Sequence, residues 1–200
     1  LFWSIATVSM ASILFLAGST VYLNMVSPNG GPVHWHADFE IWNCGEKLDL
    51  IDPTGLDNRV GTWEVHEHND DRMHVEGTIV DMGEASFHHF FETTGSVLDE
   101  TEMTYPATQG NIFMPVKGTC DGQPAELQGY LVHVIDPQNA KNWHYTQEKI
   151  AYPFEKIMAP YSNVPPGDCL IVEYGPVSAT TTHVCASYRA AEYRGELDGR

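Results

Sequence analysis

Positive charge is scarce in this chain: 10 Lys and Arg residues stand against 27 Asp and Glu among 200, for a net charge of -17. Phosphate-backbone recognition needs clustered cations, so nucleic acid is not an expected partner. Cys-x-x-Cys and Cys-x-x-Cys-His are also missing, which removes the usual signatures of thioredoxin-like redox chemistry and c-type haem attachment. There is no His-Glu-x-x-His, no Gly-x-Ser-x-Gly and no phosphate-cradling Gly-rich loop, so the common protease, hydrolase and nucleotide-binding signatures are absent. Repeats and low-complexity segments are absent too. These absences favour a protein that is not an enzyme.

The first positive feature is a hydrophobic start. Residues 1–23 carry no charge and read as one helix, which at about 1.5 Å per residue just crosses the hydrocarbon layer. We expect a transmembrane helix over 1–26; a cleaved secretion signal, with Leu16-Ala17-Gly18 as its small-residue region, is the alternative. Ser4, Thr7, Ser12 and Ser19 suit contact with another helix, so other membrane protein subunits are expected partners besides the membrane itself. Cys44, Cys120, Cys169 and Cys185 then face an oxidising compartment and form two disulfides, with three pairings open. Their wide spacing argues against a thiolate zinc knuckle. The soluble part is expected to be extracellular or pseudoperiplasmic, on a single-pass cell-membrane protein.

After the Asn29-Gly30-Gly31-Pro32 linker, strands are expected at 33–43, 48–51, 61–68 and 73–80, then a short helix over 84–94 with Phe87, Phe90 and Phe91 on its apolar side. Trp35, Trp63 and the three Phe residues read as core. The turn-rich stretch 96–111 reads as a boundary. Further strands are expected near 112–118, 127–135, 169–174 and 182–188, with a helical or irregular stretch over 147–158 and a turn at 165–168. The fold class is α+β: a transmembrane helix over 1–26, a His-rich β lobe with a short helix over 33–95, and an α+β lobe over 112–190, the latter β-grasp-like.

Seven of the ten histidines, His34, His36, His66, His68, His74, His88 and His89, lie in the first half of the chain. In a strand alternate side chains share a face, so His34 pairs with His36 and His66 with His68. Imidazole is the commonest ligand for borderline metals, which makes such same-face pairs a transition-metal signal. His74 joins them according to hairpin register. A loop of 69–71 sets it opposite His66 and one of 69–73 opposite His68, but a two-residue loop at Asp70-Asp71 sets it opposite Glu67 on the other face. The metal ligands expected are therefore His34, His36, His66, His68 and His74. Asp38, Glu64, Glu76, His88 and His89 are additional ligands or hold a ligand's second ring nitrogen. The spacing suits a copper or zinc ion equally. A solvated polar strand face is the competing reading, and His133, His144 and His183 read as structural or exposed.

The blocks His34-Trp35-His36-Ala37-Asp38-Phe39, His66-Glu67-His68, Asp70-Asp71-Arg72-Met73-His74-Val75-Glu76-Gly77, Phe90-Phe91-Glu92-Thr93-Thr94-Gly95 and Gly167-Asp168-Cys169-Leu170-Ile171-Val172-Glu173-Tyr174-Gly175 resemble a loosely defined group of uncharacterised archaeal proteins. Members are anchored by one N-terminal helix and carry extracellular His-x-His motifs. The resemblance implies archaeal origin, this order of elements and metal binding, but no reaction. Glu76 stands where the group places a second histidine after His74, which implies mixed nitrogen and oxygen ligation here. Metal capture or delivery, or service as an accessory subunit of a membrane complex, is the expected function. The alternatives are a structural subunit of a membrane or filament assembly and, third, a copper or zinc enzyme.

Overall fold

The computed structural model describes residues 1–137, 143–159 and 166–199. The N-terminal run forms α1 (Phe2–Val26), none of whose residues is buried by the rest of the chain. It is long and apolar enough to cross a membrane. Its hydroxyls return to the helix itself: Thr7, Ser12, Ser19 and Thr20 each donate to the carbonyl four residues earlier. That arrangement satisfies these four hydroxyl donors without water, as an apolar surrounding requires.

Strands β1 (Val33–Asn43), β2 (Glu46–Leu48), β3 (Val60–Gly61), β4 (Val65–Glu67) and β5 (Arg72–Gly77) follow, then α2 (Phe87–Thr93). The rest comprises β6 (Val97–Leu98), β7 (Glu102–Ala107), β8 (Gly110–Pro115), β9 (Lys117–Cys120), β10 (Gln123–Val134), β11 (Trp143–Ile150), β12 (Cys169–Gly175), α3 (Ala186–Tyr193) and β13 (Leu197–Gly199). The class is α+β with mixed sheets. One ten-stranded sheet runs β13-β11-β10-β12-β1-β5-β4-β3, with β2 beside β1 and β9 beside β10, while β6-β7-β8 form a second sheet. Strand β1 lies parallel to β12 and antiparallel to β5. Segments 33–95 and 112–190 thus contribute to one continuous sheet, and the strand order singles out no β-grasp unit among the described residues.

Alternation decides which side of each strand is buried. Trp35, Ala37, Phe39 and Ile41 of β1 enter a large apolar cluster with Val65, Met73, Val75, Leu170 and Val172. Phe87, Phe90 and Phe91 of α2 and Met103, Tyr105 and Met114 of the small sheet belong to the same cluster. On the opposite face of the large sheet, Tyr130, Val132, Cys169 and Ile171 form a second cluster with Tyr188 and Ala191 of α3. Disulfides join Cys44 to Cys120 and Cys169 to Cys185. The second ties the start of α3 to β12.

Several sequence expectations need correction. Residues 61–68 are not one strand: Gly61 pairs with His66, so the chain reverses between them. Gly61 has φ +119° and a Cβ there would meet the Val65 carbonyl oxygen at 2.5 Å, so only glycine fits this tight return. Trp63, expected in the core, sits on that turn, 75% exposed, beneath the Arg59 guanidinium at 3.9 Å. Stretch 96–111 holds β6, β7 and the start of β8, and 147–150 belongs to β11. Instead of a strand over 182–188, α3 begins at Ala186, directly after the cystine at Cys185. The 84–94 helix opens as a 3-10 turn (Met82–Ala85) before Ser86, whose hydroxyl accepts from the His89 amide and caps α2. Of the 165–168 turn, Pro165 lies outside the described residues.

Candidate metal centre

The site is assembled by register across three strands. In β1 and β5, His34 faces Glu76, His36 faces His74 and Asp38 faces Arg72. In β4, His66 faces the same His74. The register is that of the 69–71 loop, the one that brings His74 to the histidine face. Left-handed Asn69 and Asp71 shape the reversal, and the buried Glu67 carboxylate accepts hydrogen bonds from the Asp70 and Asp71 amides beneath it. Asp71 is also gripped from β2 by Lys47 at 2.6 Å.

His36, His74 and His66 therefore stand in one row across β1, β5 and β4, with His34 and His68 flanking it. The His36 and His74 rings are 4.6 Å apart between centroids and perpendicular, whereas His66 and His74 are parallel at 5.4 Å. His34, His36 and His74 each offer a ligand atom, all within 4.8 Å of one another; so do His66, His68 and His74. A tetrahedral ion with bonds of about 2.0–2.1 Å holds its donors about 3.4 Å apart, so pairs within 4.8 Å close by at most about 1.4 Å. Either set is capable of coordinating a metal ion.

The surroundings prepare these rings as ligands. His68 Nδ1 lies against the Asn58 carbonyl oxygen, which can only accept, so this nitrogen is the donor and Nε2 is the one left for a metal. His34 Nε2 lies 3.2 Å from a Glu76 carboxylate oxygen, which leaves Nδ1 for a metal. Burial foremost, then the neighbouring His68 and His74, push the His66 imidazole down to about 4, so it is neutral at ordinary pH. Burial likewise raises the Glu67 carboxyl, against the pull of its amide hydrogen bonds. His74 is buried, and neither of its ring nitrogens has a hydrogen-bond partner among the described residues. The Asp70 carboxylate approaches its Nε2 only to 3.5 Å, near enough for charge attraction but long for a hydrogen bond.

The structure brings together five of the expected residues, and it places the remaining ones differently. Glu76 sits at the rim beside His34. Asp38 accepts from Arg72 Nε at 2.7 Å and is occupied in that ion pair. Glu64 is exposed and belongs to neither three-histidine set. His88 and His89 also lie outside both sets; His88 Nδ1 donates to the Pro153 carbonyl at 3.0 Å and its Nε2 faces Glu92. His183 is stacked on Trp42 at 3.7 Å. Sequence reasoning missed Asn58 and Asp70 as partners of the site histidines. Asn58 acts through its backbone carbonyl, which no side-chain pattern reveals, and Asp70 reaches His74 only because of the turn geometry. No family model matches the chain, and comparison with curated proteins and with solved structures found no match either.

Proposed function

We propose that this is an archaeal, single-pass membrane protein whose extracellular part binds copper or zinc through His34, His36, His66, His68 and His74, for capture or delivery of the ion or as an accessory subunit of a membrane complex. The observation that carries the reading is the row His36, His74, His66. Three adjacent strands each spend a position on a histidine on the same face, and two of those rings are buried. A solvated polar face does not bury imidazoles. All-imidazole donor sets suit Zn²⁺ and Cu²⁺, both borderline ions, better than Ca²⁺ or Mg²⁺, which prefer oxygen. The uncovered surface of α1 supports a membrane setting and gives a partner's helix room to pack.

The test is metal analysis of the full-length protein purified in detergent after exposure to copper or zinc, beside the His74→Ala variant. Retained metal in the parent that is lost in the variant is the expected result. A parent protein free of metal under metal-replete conditions would overturn the proposal in favour of a structural subunit.

A further inference from the structure

The two three-histidine sets share one residue, His74, and do not merge into a larger group within the same distance among the described residues. Their other members come from opposite sides of it: His34 and His36 from β1, His66 and His68 from β4 and the turn after it, with β5 between. Adjacent strands lie about 4.8 Å apart, so β1 and β4 are separated by about twice that. One ion cannot be close to both flanks without large movements of the rings. We infer that the centre is dinuclear, with one ion held by His34, His36 and His74, a second by His66, His68 and His74, and His74 as the bridge. The inference rests on the metal-binding reading above and deepens it.

His74 itself supplies the second argument. A histidine that binds a single ion ordinarily donates its other ring N–H to a protein acceptor, as His68 does to Asn58. His74 is buried with Nδ1 unpartnered and Nε2 facing only the Asp70 carboxylate at 3.5 Å, so no acceptor at a close hydrogen-bond distance claims either nitrogen among the described residues. A bridging role uses both. Neutral His74 binds the first ion through its one lone pair and keeps one N–H; binding of the second ion releases that proton to water and leaves an imidazolate between two cations. No electron is transferred. The added positive charge is offset by the imidazolate and by two carboxylates already at the centre, Asp70 beside His74 and Glu76 beside His34.

The probe is copper(II) alone. Full-length protein in detergent is loaded with copper(II), desalted, counted by native mass spectrometry and examined by electron paramagnetic resonance. The parent is expected to carry two copper ions per chain, with a signal well below that of two isolated Cu(II) centres because the bridge couples their spins. The H34A/H36A and H66A/H68A double variants are each expected to retain one copper, with the full signal of an uncoupled ion. One copper in the parent, or two that are magnetically independent, overturns the bridge while leaving metal binding intact. No copper at all overturns the reading beneath it. The parent spectrum needs no substitution, and His34 is exposed and His36 half-buried, so the outcome does not depend on a variant that damages the core.

Discussion

At one end of the sheet face that carries Trp42, Tyr188 and Ala191 of α3 form an apolar cluster with Val132 and Ile171. At the other end of that face, His34, His36, His74 and His66 stand in place of such a layer. Two ion pairs mark the divide: Asp38 with Arg72, and the buried Glu40 with Arg189 of α3 at 2.7 Å. Both ends belong to one sheet and meet at β1, with the same apolar cluster on the reverse side. What differs is how the second face is closed, by burial of hydrocarbon in one case and by groups suited to a ligand in the other. Stability is thus expected to reside at the α3 end, and ligand response at the histidine end.

Truncating Tyr188 should have the largest effect. The Tyr188→Ala change empties a fully buried aromatic position and abandons the hydroxyl's hydrogen bond to the Gly167 carbonyl. A loss of about 3–5 kcal/mol in denaturant unfolding is expected, with metal content per folded chain unchanged. If metal content fell in step with stability, the two ends would not be separable. Next comes the cystine at the same end. Replacing Cys169 and Cys185 together by Ala opens a loop of sequence separation 16, and chain entropy sets the expected loss at about 3 kcal/mol.

At the histidine end the response should come from the ligand. Metal at about 100 times its dissociation constant adds about 2.7 kcal/mol, a gain seen as a raised Tm that a chelator reverses and that His74→Ala abolishes. A Tm indifferent to metal in the parent would remove the contrast. The last effect concerns acid. His66 titrates near 4 in the folded chain against its ordinary value of 6.5, so the unfolded chain binds the proton first. The stability due to neutral His66 is complete above 6.5 and is lost as pH falls toward 4. Metal-free protein should therefore lose Tm across that window, and His66→Gln should flatten part of the slope.

The difference between the ends also explains what the sequence disclosed. Strand β1 was legible to the residue because Trp35, Phe39 and Ile41 alternate with polar neighbours over a long run. The histidine pairs were legible for the same reason. The reversal at Gly61 was not, since Thr62, Trp63 and Val65 all favour strands, and only the crowding of Gly61 against Val65 exposes the turn. The place of His74 depended on loop length, which the Glu67 carboxylate fixes by gathering the Asp70 and Asp71 amides. The region over 182–188 misled because Val184 and Cys185 suit a strand, while the bond from Cys185 to Cys169 holds the chain where α3 can start. Local pattern carried the strand faces; long-range pairings chose the register.

Between the last residue of α1, Val26, and His34 lie only seven residues, 27–33. Fully extended, they span at most about 25 Å. With α1 in a bilayer, the histidine centre would be leashed to the lipid surface, and on the proposed function an ion bound there would meet neighbouring membrane proteins by lateral diffusion in a thin layer. Encounter would then be governed by how many chains share a patch of membrane and by whether the short tether lets the two sites meet. Even a modest affinity between the soluble part and a membrane partner would suffice for exchange.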